Sequence, residues 1–447
     1  LRILPIRFKR GARLHQAKDT HMPEPPPLQP GSPLPIARQI PRVAMIQDGA
    51  RRRYMVPVTL QRTGILDRVF IDWLVRTGST EARIADLIGR FRPGLGRRMR
   101  ERCCPELDPN RVVSNWRLSI RMQMRMRRIP VEEESFMYAS HQTARWIRRV
   151  GFGGSNVLYG FIRNASPELF QHARRLGLRT AADQIIAPYQ VEVNELAEQH
   201  RRWPDWSKTE ATRLHGEYLK FEQQSWEHLD QITCMSDYVR QGLISVGVPG
   251  ERVTVIPYPW NETGGPPPPR ENRNRPLTVG FVGGVGLRKG APYFLEVARR
   301  FDPRQVKFVM VGKVLLNPQQ LGKYQDHVQF TGSVARSQVK DWLERFDVFF
   351  FPSTCEGSAG AVMEAMASGL PVLTSPNSGS AVRHGIDGFV HRYDEVDQFE
   401  AAIGQLDADR DLMHRMGASA RARVIGYDLE AYGKDLNQFF TELVNPA

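Results

Sequence analysis

The chain has 447 residues, a formal net charge of +14, and 41% hydrophobic and 9% aromatic residues. That length is too great for one ordinary domain and suits two or three, and the apolar share is that of a globular protein with real cores. No apolar run approaches the ~18–20 residues that span a bilayer, the opening LRILPIRFKRGARLHQ lacks the apolar core of a signal peptide, and no CxxC or His/Cys cluster points to a metal. The four cysteines fit a reducing cytoplasm. The positive balance suits an anionic partner, whether nucleic acid, membrane surface or phosphorylated small molecule, and equally an arginine-rich composition.

In chain order, residues 1–40 are basic and then proline-rich (PEPPPLQPGSPLP), which reads as a disordered tail. RVAMIQ then reads as a buried strand, followed by the turn Asp48-Gly49-Ala50 and a helix over 56–64. RVFIDWL is a second strand. Residues 97–128 interleave Arg and Met; such a stretch could rest on an anionic membrane surface, although Met at near-helical spacing more often marks a core. NVLYGF, RTAADQI and QITCM are strands, with helices between them and a further helix ending at Gly247, and ERVTVIPYP closes the first half. A linker by composition, NETGGPPPPRENRNRP, follows. A second alternating series begins at LTVGFVGG and runs through KFVMVG, HVQFTG, a helix over 339–346, DVFFFPS, another helix and PVLTS.

Strands alternating with helices imply parallel sheets covered on both faces, and two such series imply two doubly wound domains facing a cleft. The boundaries expected are 1–40 for the tail, 41–258 for the first domain, 259–276 for the linker, 277–425 for the second domain and 426–447 for a C-terminal helix. In the second domain, GFVGGVGLRKG follows a strand. Its glycines Gly283 and Gly284 allow close backbone approach, and Arg288 and Lys289 stand near a helix start, a phosphate-binding combination. The same pattern is also that of an ordinary strand-to-helix turn. STCEGSAGAVMEAMASGLPVLTS is more specific. Glu356 precedes the small residues Ser358, Ala359 and Gly360, which leave helix amides open to an anion. Glu364 lies about two turns further on, among apolar neighbours. Carboxylates accept sugar hydroxyls, so one element could hold a diphosphate and two sugars. The plain alternative is that Glu356 favours the helix start through its dipole and Glu364 is solvated.

The pair Glu356 and Glu364 with EAMASGLPVLTS, GIDGFV, FVGG…RKG and VPGERVTVIPYP resembles the retaining family-4 glycosyltransferases of the GT-B fold, over most of residues 233–432. The resemblance implies a nucleotide-diphosphate sugar as donor; no further cofactor is expected, and no metal, because the protein's own cations and helix start would supply the positive charge. It implies that Glu364 holds the ribose, Glu356 the donor sugar and Lys289, with Arg288, the diphosphate, while Gly332, Ser333 and Val334 line the base. The acceptor, a glycan or lipid-linked molecule, falls to the first domain, where Asp48, Gly49 and Arg51 follow the first strand. Two positions depart from the family. Gly284 stands where many members carry Arg, and Ala182-Asp183-Gln184 ends the strand where many carry His, so that Asp183 or Gln184 would take that place. The rival readings are a nucleotide-sugar epimerase of the same fold, a relative that binds donor without transfer, and a nucleic-acid binder. The last finds neither zinc-finger spacing nor an RNP-like aromatic strand. The location implied is the cytoplasm, at the inner face of the membrane if the acceptor is lipid-linked.

Overall fold

A computed structural model describes residues 38–75, 78–91, 94, 99–207, 215–260 and 275–446. The expected tail and the expected linker fall almost wholly outside these residues.

The first sheet has seven parallel strands: β1 (Val43–Gln47), β2 (Leu66–Ile71), β3 (Val112–Ser114), β4 (Val157–Phe161), β5 (Arg179–Gln184), β6 (Gln231–Cys234) and β7 (Val253–Val255). Their order is β3-β2-β1-β4-β5-β6-β7. The second has six: β8 (Leu277–Val282), β9 (Val306–Val311), β10 (Val328–Gly332), β11 (Val348–Phe351), β12 (Val372–Thr374) and β13 (Gly388–Val390), in the order β10-β9-β8-β11-β12-β13. The central strands VAMIQ, VLYGF and VFFF are buried at every residue. Such continuous apolar runs belong to parallel sheets covered on both faces. In each sheet the order reverses beside the first strand, between β1 and β4 and between β8 and β11. Ligands of doubly wound sheets lie outside the carboxyl ends at that point. This is the GT-B architecture of two doubly wound sheets.

Several local differences have physical causes. The strand read from RVFIDWL stops at Ile71. Asp72 is occupied instead as a polar hub, accepting from the Gly49 amide at 3.1 Å, from Arg102 at 2.7 Å and from Ser119 at 3.1 Å. The helix expected over 56–64 is Met55–Arg62. The edge strand β3 has three residues, too short to show any alternation. The Arg/Met stretch yields the helix Trp116–Met126, in which Met122 is core but Met124 is exposed.

The helix Leu429–Val444 returns to the first sheet. Asp428 caps it through the Ala431 amide at 2.8 Å, and Leu436, Phe439, Phe440 and Leu443 join the core that contains Val43, Met45 and Val58. Gly433 lets it lie against Thr59 and Thr63, whose methyls would be 3.3 and 3.1 Å from any Cβ placed there. Among the described residues no helix is long and apolar enough to cross a membrane.

Candidate active site

The loop after β8 is shaped by two glycines that no larger residue could replace without strain. Gly283 has φ 151° and its amide donates to the Val311 carbonyl at 2.9 Å. Gly290 has φ 69°, and a Cβ there would lie 1.7 Å from the Pro352 carbonyl oxygen. The tight approach at Gly290 presses the single turn Leu287–Lys289 against the loop that leaves β11. Gly284 lies between, beside Leu315.

That contact assembles a charged cluster. Lys289 Nζ donates to Glu356 Oε1. Arg288 stands 3.6 Å from the same oxygen and donates to the Cys355 carbonyl at 3.2 Å. Ser353 Oγ donates to Glu356 at 3.2 Å. The loop is fixed by its own backbone: the Thr354 amide donates to the Arg288 carbonyl and the Glu356 amide to the Asn377 carbonyl, each at 3.0 Å. Burial pulls the Lys289 ammonium below the ordinary lysine range, with Arg288 acting in the same sense and Glu356 opposing. Two cations facing one carboxylate leave net positive charge at a strand end, in partly desolvated surroundings where it acts strongly.

Directly after the cluster comes the helix Gly360–Ala367. The Ala359 amide is taken by the Ser378 carbonyl at 3.0 Å, and no side chain caps the helix. The amides of Gly360 and Ala361 meet no acceptor among the described residues, and the space above Gly360 is open. Unpaired first-turn amides next to two cations can receive an anion. Glu364, on this helix, is gripped by both arms of Arg336, one of them at 2.8 Å. Arg336 follows Gly332, Ser333 and Val334 in the loop leaving β10, where Gly332 takes φ 69°. The sequence reading missed Arg336. Its only signal was a place just past a strand's carboxyl end.

The first domain meets this loop closely. Ser236 Oγ donates to the Gly357 carbonyl at 2.6 Å, and a Cβ at Gly357 would sit 1.8 Å from the Ile185 carbonyl oxygen. A cavity of about 600 Å³ opens beside the contact, with Met235 and Tyr258 on one wall and Ser358, Met363 and Arg383 on the other.

The residues expected on the acceptor side divide. Asp48 is exposed, Gly49 takes φ 60°, and Arg51 stacks 5.0 Å over Phe161 at the end of β4. Arg52, Arg53 and Tyr54 then have φ of 49°, 50° and 61°, a left-handed run that costs roughly 1–2 kcal/mol per residue. Asp183 is buried and accepts from the Tyr258 hydroxyl; burial pushes its carboxyl up to about 6, against that hydrogen bond and the charges of Arg51 and Arg52. Gln184 is occupied inside the first domain. Its oxygen accepts from Trp226 at 3.1 Å, and its amide donates to Glu222 at 2.9 Å and to the Ile186 carbonyl at 3.2 Å.

A further cavity, of about 310 Å³, was not foreseen. Arg163, Glu192, Tyr189 and Tyr218 of the first domain line it, and Arg288 reaches it from the second. Arg163 pairs with Glu192 at 3.1 Å, while its Nε and the Tyr218 hydroxyl have no partner among the described residues. Arg163 stands two residues past β4, so the strand-end rule could have found it.

Residues 276–409 match the family described as Glycosyl transferases group 1. That match covers most of the second domain. The chain is 33% identical over 110 residues to the D-inositol 3-phosphate glycosyltransferase of Streptomyces griseus, covering 24% of this chain and 23% of the relative. It is 29% identical over 217 residues to the GDP-mannose-dependent alpha-(1-6)-phosphatidylinositol monomannoside mannosyltransferase of Mycobacterium tuberculosis, covering 43% and 56%. The matches thus span about a quarter and just over half of the length of these two curated relatives. In fold, the chain is similar to Anabaena Alr3699/HepE in complex with UDP, with a TM-score of 0.56 and 13% identity over 90% of this chain and all of that one. The matched residues contain the Lys289–Glu356 cluster, the open helix start and Glu364.

Proposed function

We propose that the protein transfers a sugar from a nucleotide-diphosphate donor to a glycan or lipid-linked acceptor, with retention and without a metal. The observation that carries this reading is the meeting of Lys289 and Arg288 at Glu356, four residues before a helix start whose Gly360 and Ala361 amides have no acceptor among the described residues. In this reading the leaving diphosphate meets those cations and amides, whose positive ends are already in place before charge develops. Lys289 exchanges Glu356 for the phosphate, which frees the carboxylate for hydroxyls of the donor sugar. Arg288, Gly283 and Gly284 complete the phosphate wall, with Ser358 and Ala359 at the helix start. Glu364 turns from Arg336 to the ribose, and Gly332, Ser333 and Val334 border the base. Relatives named for GDP-mannose and a structural neighbour holding UDP support a nucleoside diphosphate as the recognised group.

We infer that the acceptor sits on the first-domain wall. Asp48, Gly49 and Arg51 close β1 there, Asp183 lies behind Arg51, and the Arg163 cavity opens toward Arg288. A lipid-linked acceptor would put the chain at the inner face of a membrane. The reading is tested by a thermal-shift screen with nucleoside diphosphates and their sugars in chelator. A ligand at 100 times its Kd stabilises by about 2.7 kcal/mol through linkage. Upward shifts with one base family support the reading, and no shift with any of them contradicts it.

A further inference from the structure

The helix Trp116–Met126 and the following helix Glu132–Val150 form a pair on the first domain whose outer surface the transfer chemistry does not use. Leu118, Ser119 and Met122 fix the first helix to the protein. Roughly opposite them, Trp116, Ile120 and Met124 stand at i, i+4 and i+8, one stripe of the helix. They are 49%, 44% and 56% exposed. A merely solvated helix carries polar side chains on that stripe.

The charges beside the stripe all have one sign. Residues 116–150 hold eight arginines and three glutamates, and the glutamates are confined to positions 132–134. There Glu133 accepts from the Tyr189 hydroxyl and Glu134 faces His215, at the end of the pair away from Arg145 and Arg149. Between the two helices lies a cavity of about 310 Å³ lined by Arg121, Arg145 and Arg149, with Tyr138 and Gln142 and without a carboxylate. None of the three arginines pairs with an acidic side chain among the described residues.

We propose that this surface docks the protein on an anionic phospholipid bilayer. Trp116, Ile120 and Met124 enter the boundary between headgroups and acyl chains, and the Arg121–Arg145–Arg149 cavity receives a headgroup phosphate. An aromatic ring at the interface, apolar neighbours below it and unpaired guanidinium groups beside it are what such a boundary selects. This goes beyond the transfer reading and does not depend on it.

The test is co-sedimentation of the full chain with vesicles of phosphatidylcholine alone and of phosphatidylcholine with 30% phosphatidylglycerol. The chain partitions onto the mixed vesicles only. Changing Arg121, Arg145 and Arg149 together to Gln lowers that partition about a hundredfold, at roughly fivefold per cation. Changing Trp116, Ile120 and Met124 together to Ser lowers it at least tenfold. Brominated acyl chains quench fluorescence of the native chain and not of a Trp116→Phe variant. Both triple variants keep the native circular dichroism spectrum and melting temperature. Absence of binding to mixed vesicles, equal binding to both kinds, or binding that neither triple variant lowers overturns the proposal. So does capture of duplex RNA that needs the arginines but not the apolar stripe, which would make the surface a nucleic-acid face.

Discussion

At the residue scale, Lys289 and Asp183 make opposite uses of burial. Lys289 keeps its charge because Glu356 faces it, and the inferred diphosphate would take over that role. Lys289→Ala should therefore weaken binding of a nucleoside diphosphate at least tenfold and leave the nucleoside nearly unaffected. The difference should shrink in high salt. Equal losses for both ligands, measured by calorimetry, would make Lys289 a structural residue. Asp183 has no cation in direct contact among the described residues. Its folded pKa of about 6 lies above the ordinary aspartate value of 3.8, so between those pH values the native state holds the extra proton. Stability contributed by this group is present below the unfolded value and falls as pH rises toward 6, by roughly 3 kcal/mol at most. Glu222, raised by burial to about 7, adds a fall of the same sign. Asp183→Asn should flatten the decline between pH 4 and 6 in urea midpoints. A variant with the native slope would show that Asp183 is ionised throughout.

Glycines separate packing from binding at the scale of single elements. Gly290→Ala forces a Cβ onto the Pro352 carbonyl at positive φ and should destabilise by more than about 2 kcal/mol. Gly360→Ala meets nothing within 4 Å and sits in the first turn of a helix, where Ala is preferred by roughly 0.5–1 kcal/mol. That variant should melt at or above the native temperature and yet bind nucleoside diphosphate at least tenfold more weakly, because its methyl occupies the approach to the amides. Native affinity in a stable Gly360→Ala chain would move the diphosphate elsewhere. These elements also show what a linear reading can reach. The long apolar strands announced both sheets because each is buried on two faces. The E-x7-E helix and the Lys289 loop were visible because strand-end glycines and charges lie close in sequence. Arg336 and Arg163 were not, since what matters about them is a partner 28 or 29 residues away. Gln184 was read toward the cleft, but its direction depends on Trp226 and Glu222 of a distant helix.

For the whole molecule, the two sheets are tied in two ways, by the chain end and by a helix of the first domain. The chain end packs on β1's domain, where Phe440 meets Tyr159 edge-on at 5.1 Å, and the helix Tyr189–Arg202 reaches the second domain, with Gln199 accepting from the Tyr293 hydroxyl at 2.6 Å and Arg202 pairing with Asp394 at 2.8 Å. The Gly357 contact then sets the cleft beside the charged cluster. The central claim is that the second domain supplies its own positive charge to a nucleoside diphosphate and holds the ribose on Glu364. The most direct measurement is a calorimetric titration of UDP and GDP, in excess chelator, into the native chain and into Glu364→Ala. The account predicts that at least one nucleotide binds the native chain without metal. It also predicts that the folded variant loses roughly 1–3 kcal/mol of that affinity, the usual cost of removing a charged hydrogen-bonding group. Binding that appears only when Mg²⁺ or Mn²⁺ is returned, or unchanged affinity in the variant, would contradict it.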